Sequence, residues 1–373
     1  MKPAGRHATA SSTAGRRRGF VHRYGSRRPR TVCVADSEGV ARPLRPLPTA
    51  LGFEFSVAQA RAAGVGASRL RASDLARPFH GTRMRSRAVE PSTFDESPTA
   101  REARVLRDEI VRRARAVATT ARPGWLFSHA TAAVLWGLPV PLRVLRECVD
   151  AIDVAALGAQ RAPRGRGVRG RQLLPELTSV RHLDGIPLAS PASVWAQLGS
   201  VLSVEELIEL GDAIVWIPRR RGIQRGTPAD ARGTIDQLGA ALGAGRREGA
   251  GRLRDALPRI RVGAASPGET RIRLAVIAAG LPEPALDVDV HAPDGTPIGY
   301  TELAHPEFRL LHEYEGDHHR VDRRQWTRDI DKHAACVAAG WHVTRLTAEH
   351  AYPDPAPSVA RIRDALVRAG WTP

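Results

Sequence analysis

The sequence predicts a multidomain protein of mixed α+β and α/β class. It would have an N-terminal winged helix-turn-helix, a middle region of helices plus strands, and a C-terminal αβββαβ domain. The length of 373 residues suits two or three domains at roughly 100–200 residues each. Hydrophobic residues make up 42% and charged residues 25% of the chain, which is typical of globular proteins. Changes in local pattern divide the chain into 1–47, 48–90, 91–262 and 263–373.

The first segment, 1–47, is rich in Arg, Gly, Ser and Pro and holds little that could form a core. Residues 1–45 carry eleven Lys and Arg but only two acids, Asp36 and Glu38. We predict a disordered basic tail, solvated in water, and keep a nonspecific nucleic-acid arm as the alternative. The whole chain has a formal net charge of +17, and a field of that sign attracts phosphate backbones.

The second segment, 48–90, has the pattern of a winged helix. Ser56 is a candidate N-cap for a helix over 57–63, and Gly64 is a candidate stop. We predict a second helix over 67–75 and a short basic hairpin around Gly81. Such a unit would bind DNA, although small winged helices also bind proteins. The candidate nucleic-acid contacts here are Ser68, Arg69, Arg71, Arg83 and Arg85.

The middle segment, 91–262, reads as helices with some strands. The expected features are a long helix over 101–121, a helix opening at Ser128 or His129, a basic loop over 162–173 leading to a strand, two helices after Pro191 and Ser203, and a helix around 228–243. Gly165, Gly167 and Gly170 match the spacing of a dinucleotide-binding glycine motif. They lie in an Arg and Pro loop with no strand before them, so we reject that interpretation.

The last segment, 263–373, has the most regular pattern. Ser266 is the expected N-cap of a helix that has Pro267 at its first position and ends at Gly280. Alternating apolar residues then predict a hairpin that turns at Asp294-Gly295. The expected elements after it are a third strand in "FRLLHEYEG", a helix over 322–339, a fourth strand in "WHVTRLT" and a helix over 357–370.

Four acids of this segment are placed where they can converge. Glu269 lies on the first helix, Glu302 on the second strand, and Glu313 and Glu315 two apart on the third. Converging carboxylates repel one another unless a cation neutralises them or a proton is taken up. Oxygen ligands suit Mg²⁺, or Mn²⁺, and such an ion supports phosphodiester hydrolysis. His318 and His319 follow and could assist as a general base.

A zinc site is the weaker alternative. The candidate ligands would be His305, His312, His318, His319 and Cys336. No pair among them has the spacing of a known zinc site. The three cysteines of the chain are far apart and predict neither a disulfide framework nor a zinc finger.

Residues 264–372 resemble the PD-(D/E)XK nuclease superfamily, which has a restriction-endonuclease-like fold. The similar branch is the one related to very-short-patch repair endonucleases. The segments that carry the resemblance are "SPGETRIRL", "ELAHPEFRLLHEYEGDHH", "RRQWTRDI" and "AAGWHVTRLT".

This resemblance assigns roles by position. It implies that Glu269 is the helix-borne acid and that Glu302 and Glu313 bind the metal. Glu302 stands where the family has Asp, and Glu315 stands where other branches have Lys and this branch has Asp. His318 or His319 would assist catalysis. Gln325 and Arg328, on the following helix, would face the substrate or the core.

The stretch "FSVAQARAAGVGASRLRASDLARPFHGTRMRS" resembles the N-terminal domain of AbiEi-type antitoxins. The resemblance covers roughly 35 residues and implies binding to operator DNA. A toxin, or a partner in repair or defence, is a further candidate partner. Many nucleases of the branch named above carry such an N-terminus.

Two hypotheses follow. The first is a cytoplasmic, Mg²⁺-dependent DNA endonuclease. The second is a non-enzymatic antitoxin-like transcriptional repressor with a degenerate nuclease fold, which the Glu at position 302 favours. No apolar run approaches the roughly 20 residues of a membrane span, so we expect no membrane partner. The oligomeric state is left open.

Overall fold

A computed structural model describes residues 44–86, 96–220, 224–315 and 323–372, and residues from Arg45 onward form one compact unit. The prediction for segment 1–47 therefore lies almost entirely outside the described residues. Within the described part, no helix is both long and apolar enough to cross a membrane.

Helices and strands are interspersed along the described residues, except that five α-helices follow one another between residues 191 and 278. The helices are α1 (Val57–Ala62), α2 (Pro98–Ala118), α3 (His129–Leu135), α4 (Leu142–Asp150), α5 (Pro191–Gln197), α6 (Val204–Val215), α7 (Ile235–Gly243), α8 (Ala250–Ala256), α9 (Pro267–Ala278), α10 (Arg323–Ala338), α11 (Ala348–Ala351) and α12 (Ala356–Arg368). The strands are β1 (Glu54–Ser56), β2 (Leu75–Ala76), β3 (Thr82–Arg85), β4 (Trp125–Phe127), β5 (Ile152–Leu157), β6 (Val168–Leu173), β7 (Val180–Leu183), β8 (Ile186–Ala189), β9 (Ala285–His291), β10 (Pro297–His305), β11 (Leu310–Glu315) and β12 (His342–Thr347).

The first part pairs α1 with a three-stranded sheet of order β1-β3-β2. Ser56 caps α1 through a capping box with Gln59, and Gly64 ends it at a φ of 76°, as the sequence predicts. The helix predicted over 67–75 is wrong: a 3₁₀ turn spans Arg69–Arg71, and Ala72 is already extended. The Arg69 guanidinium binds the Asp74 carboxylate at 2.6 Å across this turn, and from Leu75 the backbone pairs with β3 instead of continuing a helix.

The middle part is a five-stranded sheet of order β6-β5-β4-β8-β7, covered by helices. The β5–β6 and β4–β8 pairs are parallel. The sequence predicted strands in this part but did not predict which strands pair. The helix predicted around 228–243 begins later, at Ile235, because Thr234 supplies the N-cap and residues 228–230 form a 3₁₀ turn.

The last part follows the predicted order, with α9 before three antiparallel strands and α10 before a parallel fourth strand. The sheet order is β12-β11-β10-β9. Ser266 caps α9, and Gly295 turns the β9–β10 hairpin at a φ of 86°, both as predicted. One apolar cluster, which includes Ile272, Leu303 and Ile362, joins the sheet to α9 and α12. A second, which includes Leu311 and Cys336, joins it to α10.

The middle and last parts are joined by a buried ion pair. Asp212 of α6 accepts from Arg273 of α9 at 3.0 Å and from the Thr270 hydroxyl at 2.8 Å. The side chains of Asp212 and Arg273 are each 1% exposed. Arg273 also pairs with Glu283 at 3.0 Å, and Asp212 also accepts from the Arg261 backbone N–H, so this buried network holds α9 against the middle part.

Candidate functional site

Strand pairing brings Glu302 and Glu313 together. In the antiparallel β10–β11 pair Leu303 lies opposite His312, so the next residues along the two strands are Glu302 and Glu313. Facing residues of an antiparallel pair have Cβ atoms about 4.5–5.5 Å apart. Two of the acids chosen from the sequence therefore meet on the sheet face that α10 covers.

Lys332 of α10 lies against this pair. Its Nζ is 2.5 Å from Glu313 Oε1, and the two side chains are 24% and 17% exposed. The Nζ also lies 5.6 Å from the Tyr300 ring centroid. The lysine stem packs against Gly299, since a Cβ there would lie at van der Waals distance, 3.5 Å, from Lys332 Cδ. Sequence analysis did not include this lysine in the site.

Glu302 is the member of the group whose carboxylate is not fully hydrogen-bonded. Its Oε2 is buried and has no hydrogen-bond partner among the described residues. Burial raises the pKa of Glu302 to about 7, and the neighbouring Lys332 ammonium opposes that rise. A buried carboxylate oxygen without a donor lowers its free energy if a proton or a cation reaches it.

Glu269 lies beside Glu302 but has its own partners. Its carboxylate accepts from the Ser266 hydroxyl and from the Ala265 backbone N–H, each at 2.8 Å. Burial and, second, the charge of Glu302 together raise the pKa of Glu269 to about 8. Glu269 is thus a helix-capping residue coupled electrostatically to the pair.

Tyr314 ties the third strand to the start of α9. A Cβ at Gly268 would lie 2.3 Å from Tyr314 Cζ, so only glycine allows this approach. The contact holds the strand that carries Glu313 against the helix that carries Glu269.

The remaining acid of the third strand has a different partner. Glu315 Oε1 lies 3.6 Å from Arg345 of β12, and both side chains are over one-third exposed. A pair this exposed is screened by water. Glu315 is therefore placed at the edge of the candidate site, outside the Glu302–Glu313–Lys332 group.

The side chains of four further predicted site residues are not described by the structure. His318 and His319 lie outside the described residues. Gln325 and Arg328 fall within α10, but their side chains are not described.

A second charged group borders the site, and sequence analysis missed it. Arg219 binds Asp287 Oδ1 at 2.5 Å and Asp289 Oδ1 at 2.6 Å. Its guanidinium also stacks on Tyr300 at 4.2 Å. Arg225 contacts the same two aspartates. The segment before α7 thus neutralises the acids of β9 that lie next to Glu302.

The histidines considered for zinc form a different arrangement. His305 Nδ1 and His312 Nε2 are 2.9 Å apart, and His305 Nε2 lies 2.9 Å from the Pro282 carbonyl. The Pro282 carbonyl accepts a hydrogen bond from His305 Nε2–H, so His305 Nδ1 is unprotonated and accepts from His312 Nε2–H. Both rings are fully buried, and burial lowers both pKa values, that of His312 to about 3. The pair is neutral and belongs to the core.

Among the predicted nucleic-acid contacts, Ser68 and Arg71 are exposed. The other three are held within the fold. Arg69 binds Asp74, Arg83 donates to the carbonyls of Leu70 and Thr82, and Arg85 donates to the carbonyls of Pro48 and Leu51. These three guanidinium groups stabilise the winged part from inside.

The Glu302–Glu313 pair suits a hard divalent ion. Mg²⁺ is commonly held by one or two carboxylates, with water and substrate phosphate as the other ligands. The unpartnered Glu302 Oε2 is the observation that fits this requirement. No group of three or more His, Cys, Asp or Glu side chains within the described ranges is arranged to hold a metal by itself.

One sequence signal could have identified Lys332. The chain has 56 Lys and Arg, of which only Lys2 and Lys332 are lysines. A single lysine in an arginine-dominated fold is not explained by the compositional bias. An ammonium is also the more compact charge and fits between two strands and a helix better than a guanidinium does.

Comparison with known proteins finds two similar chains. They are "Uncharacterized protein MT2308" of Mycobacterium tuberculosis strain CDC 1551 / Oshkosh and "Uncharacterized protein Rv2248" of strain H37Rv. Each is 30% identical over 123 residues, which is 33% of this chain. The chain spans 45% of the length of these curated relatives. No protein-family model matches the chain, and no solved structure matches it.

Proposed function

We propose that the chain is a metal-dependent DNA endonuclease, a hydrolase of phosphodiester bonds, with a DNA-binding antitoxin-like N-terminal part. The observation that carries the proposal is the buried, unpartnered Glu302 Oε2 beside the Glu313–Lys332 ion pair. Glu302 and Glu313 would hold Mg²⁺ or Mn²⁺, whose chemistry is to activate water and to neutralise charge on the phosphate.

The chain's own residues would divide the remaining work. The Lys332 ammonium, 2.5 Å from Glu313, places a positive charge where a phosphate oxygen would develop negative charge. Glu269, with a pKa raised to about 8, keeps its proton at neutral pH and so limits repulsion with Glu302. A base role for His318 or His319 rests on the resemblance alone.

The test is cleavage of supercoiled and branched DNA by the full chain with Mg²⁺ or Mn²⁺. Glu302→Gln and Glu313→Gln should each lower the rate at least about 100-fold, a loss typical of removing one electrostatic contact in a catalytic site. The matched control is Glu307→Gln, the same chemical change at an exposed residue of the same part. Cleavage that persists in Glu313→Gln would reject this site.

A second candidate function is an antitoxin-like transcriptional repressor without catalysis. It is favoured by the Lys332 ammonium, which already neutralises one of the two metal-binding acids. It is also favoured by Glu at 302, whose extra methylene displaces the carboxylate by about 1.5 Å, beyond the ~0.5 Å tolerance of a preorganised site. Failure of the wild-type chain to cleave, while it still retards DNA on a gel, would select this function. A cytoplasmic location and a toxin, repair or defence partner stay part of the proposal under either function.

A further inference from the structure

The β5–β6 connection is an uninterrupted basic ribbon. We call residues 161–171 the arginine ribbon. Its five arginines are Arg161, Arg164, Arg166, Arg169 and Arg171, and no acid occurs between Asp153 and Glu176. It includes most of β6, an edge strand of the five-stranded sheet.

The two halves of the ribbon differ in their partners. Arg161, Arg164 and Arg166 are exposed and have no hydrogen bond or ion pair with the part of the chain that the structure describes. Arg169 and Arg171, by contrast, reach the fully buried Asp153 carboxylate at 3.5 and 3.3 Å. That acid offsets one charge of the ribbon and leaves the others unbalanced.

The ribbon is held in shape although it is exposed. The Val168 N–H donates to the Gly165 carbonyl at 3.2 Å, and the Ile152 N–H donates to the Gly167 carbonyl at 3.0 Å. A Cβ at Gly170 would lie 1.8 Å from the Pro163 carbonyl oxygen, so loop and strand are in direct backbone contact. A rigid backbone keeps the arginine positions fixed before any ligand arrives, which lowers the entropic cost of binding.

The ribbon also borders the winged part. A Cβ at Gly167 would lie 3.2 Å from the Phe79 ring, and Phe79 belongs to the connection between β2 and β3. The arginines predicted to touch phosphate from the winged part, Arg83 and Arg85, are bonded to backbone carbonyls instead. Arg161, Arg164 and Arg166 of the ribbon are exposed near this contact and add to the exposed Arg71 of the winged part.

We infer that the arginine ribbon binds the phosphate backbone of duplex DNA, with Arg164 and Arg166 as its phosphate contacts. Several unpaired arginines in a row, without an enclosing pocket, match a repeating anion rather than a single one. Guanidinium groups pair well with phosphate oxygens because two N–H donors can bind at once. The inference does not depend on the proposed hydrolysis.

The test is binding of the full chain to a fluorescent DNA duplex in EDTA, measured by anisotropy at several salt concentrations. The variant is Arg164→Gln/Arg166→Gln, which breaks no contact among the described residues. The control is Arg361→Gln/Arg363→Gln, which removes the same charge from exposed positions of α12. Each phosphate contact contributes about 0.9 to the slope of log affinity against log salt concentration. The ribbon variant should therefore weaken binding and lower the slope by about 1.8.

Each other result overturns the inference. Unchanged affinity of the ribbon variant would show that DNA lies elsewhere. An equal loss in the control would reduce the effect to overall net charge. If the ribbon variant bound single-stranded RNA more weakly than the wild type does but bound duplex DNA equally well, the ligand of the ribbon would be RNA and not DNA. Cleavage plays no part in these measurements, so failure of the proposed nuclease activity leaves them interpretable.

Discussion

Lys332 Nζ lies 2.5 Å from Glu313 Oε1, although 19 positions separate the two residues in the chain. The same ammonium acts on Glu302, whose Oε2 has no other partner among the described residues. One lysine therefore balances two carboxylates. When both are ionised, Glu302 and Glu313 carry one more negative charge than Lys332 neutralises.

Replacing the lysine tests whether a divalent ion can take its place. Lys332→Met should destabilise the fold by about 1–3 kcal/mol, since it leaves Glu313 partly buried without its cation. Added Mg²⁺ should restore part of the melting temperature in Lys332→Met, because two unbalanced carboxylates then face each other. Differential scanning calorimetry with and without Mg²⁺ measures both effects.

Two controls belong to the lysine experiment. Arg146→Met breaks an exposed pair with Glu102, whose side chains are 58% and 42% exposed, and should change stability little and show no Mg²⁺ response. Lys332→Met/Glu302→Gln should lose the Mg²⁺ response of the single variant. An equal Mg²⁺ effect in all these proteins would contradict a metal site at Glu302 and Glu313.

The pH dependence of stability tests the Glu302 environment. Its folded pKa of about 7 is above its ordinary value of 4.5, so the unfolded chain releases its proton first as the pH rises. The contribution of the protonated Glu302 side chain to folding stability is complete below pH 4.5 and is lost as the pH rises through 7. Glu302→Gln should therefore raise the melting temperature more at pH 8 than at pH 5. A difference that stays constant with pH would show that Glu302 titrates normally.

The His305–His312 pair should change folding stability with pH in the direction opposite to Glu302. Burial lowers the pKa of His312 to about 3, far below its ordinary 6.5, so folding requires the neutral ring. The stability it contributes is present above pH 6.5 and falls as the pH falls below that value. Replacement by a residue that does not titrate, His312→Gln, should flatten the free energy of unfolding between pH 6.5 and 5. The measurement is urea denaturation at several pH values; a slope equal to that of the wild type would refute the assignment.

Replacing Arg273 alone should destabilise the fold strongly, whereas replacing both Asp212 and Arg273 should destabilise it much less. Arg273→Met leaves Asp212, at 1% exposure, as an unpaired buried charge, which costs about 3–5 kcal/mol. Burial raises the pKa of Asp212, and loss of Arg273 removes the charge that opposes this rise. The double variant Asp212→Asn/Arg273→Met should recover a large part of the loss. A double-mutant cycle in urea measures the coupling, and additive losses would exclude it.

Sequence reasoning found the acids of the candidate site better than it found their partners. Glu302 and Glu313 could be placed on neighbouring strands because alternation and a turn at Asp294-Gly295 define a hairpin and its order. Glu269 was also placed correctly on its helix, but its bonds to Ser266 and Ala265 were not foreseen. The helix predicted over 67–75 was wrong because the backbone is already extended at Ala72 and then pairs with β3 from Leu75 onward.

The sequence by itself determined the local elements. Ser56, Ser203 and Ser266 mark helix starts through bonds to residues three positions ahead, and such short-range bonds do not depend on the rest of the fold. Only the tertiary structure decided which charges meet. Lys332 reaches Glu313 and Arg219 reaches Asp287 across separate elements. These pairings follow from which surfaces pack together and exclude water, because burial makes an unpaired charge costly and so selects its partner.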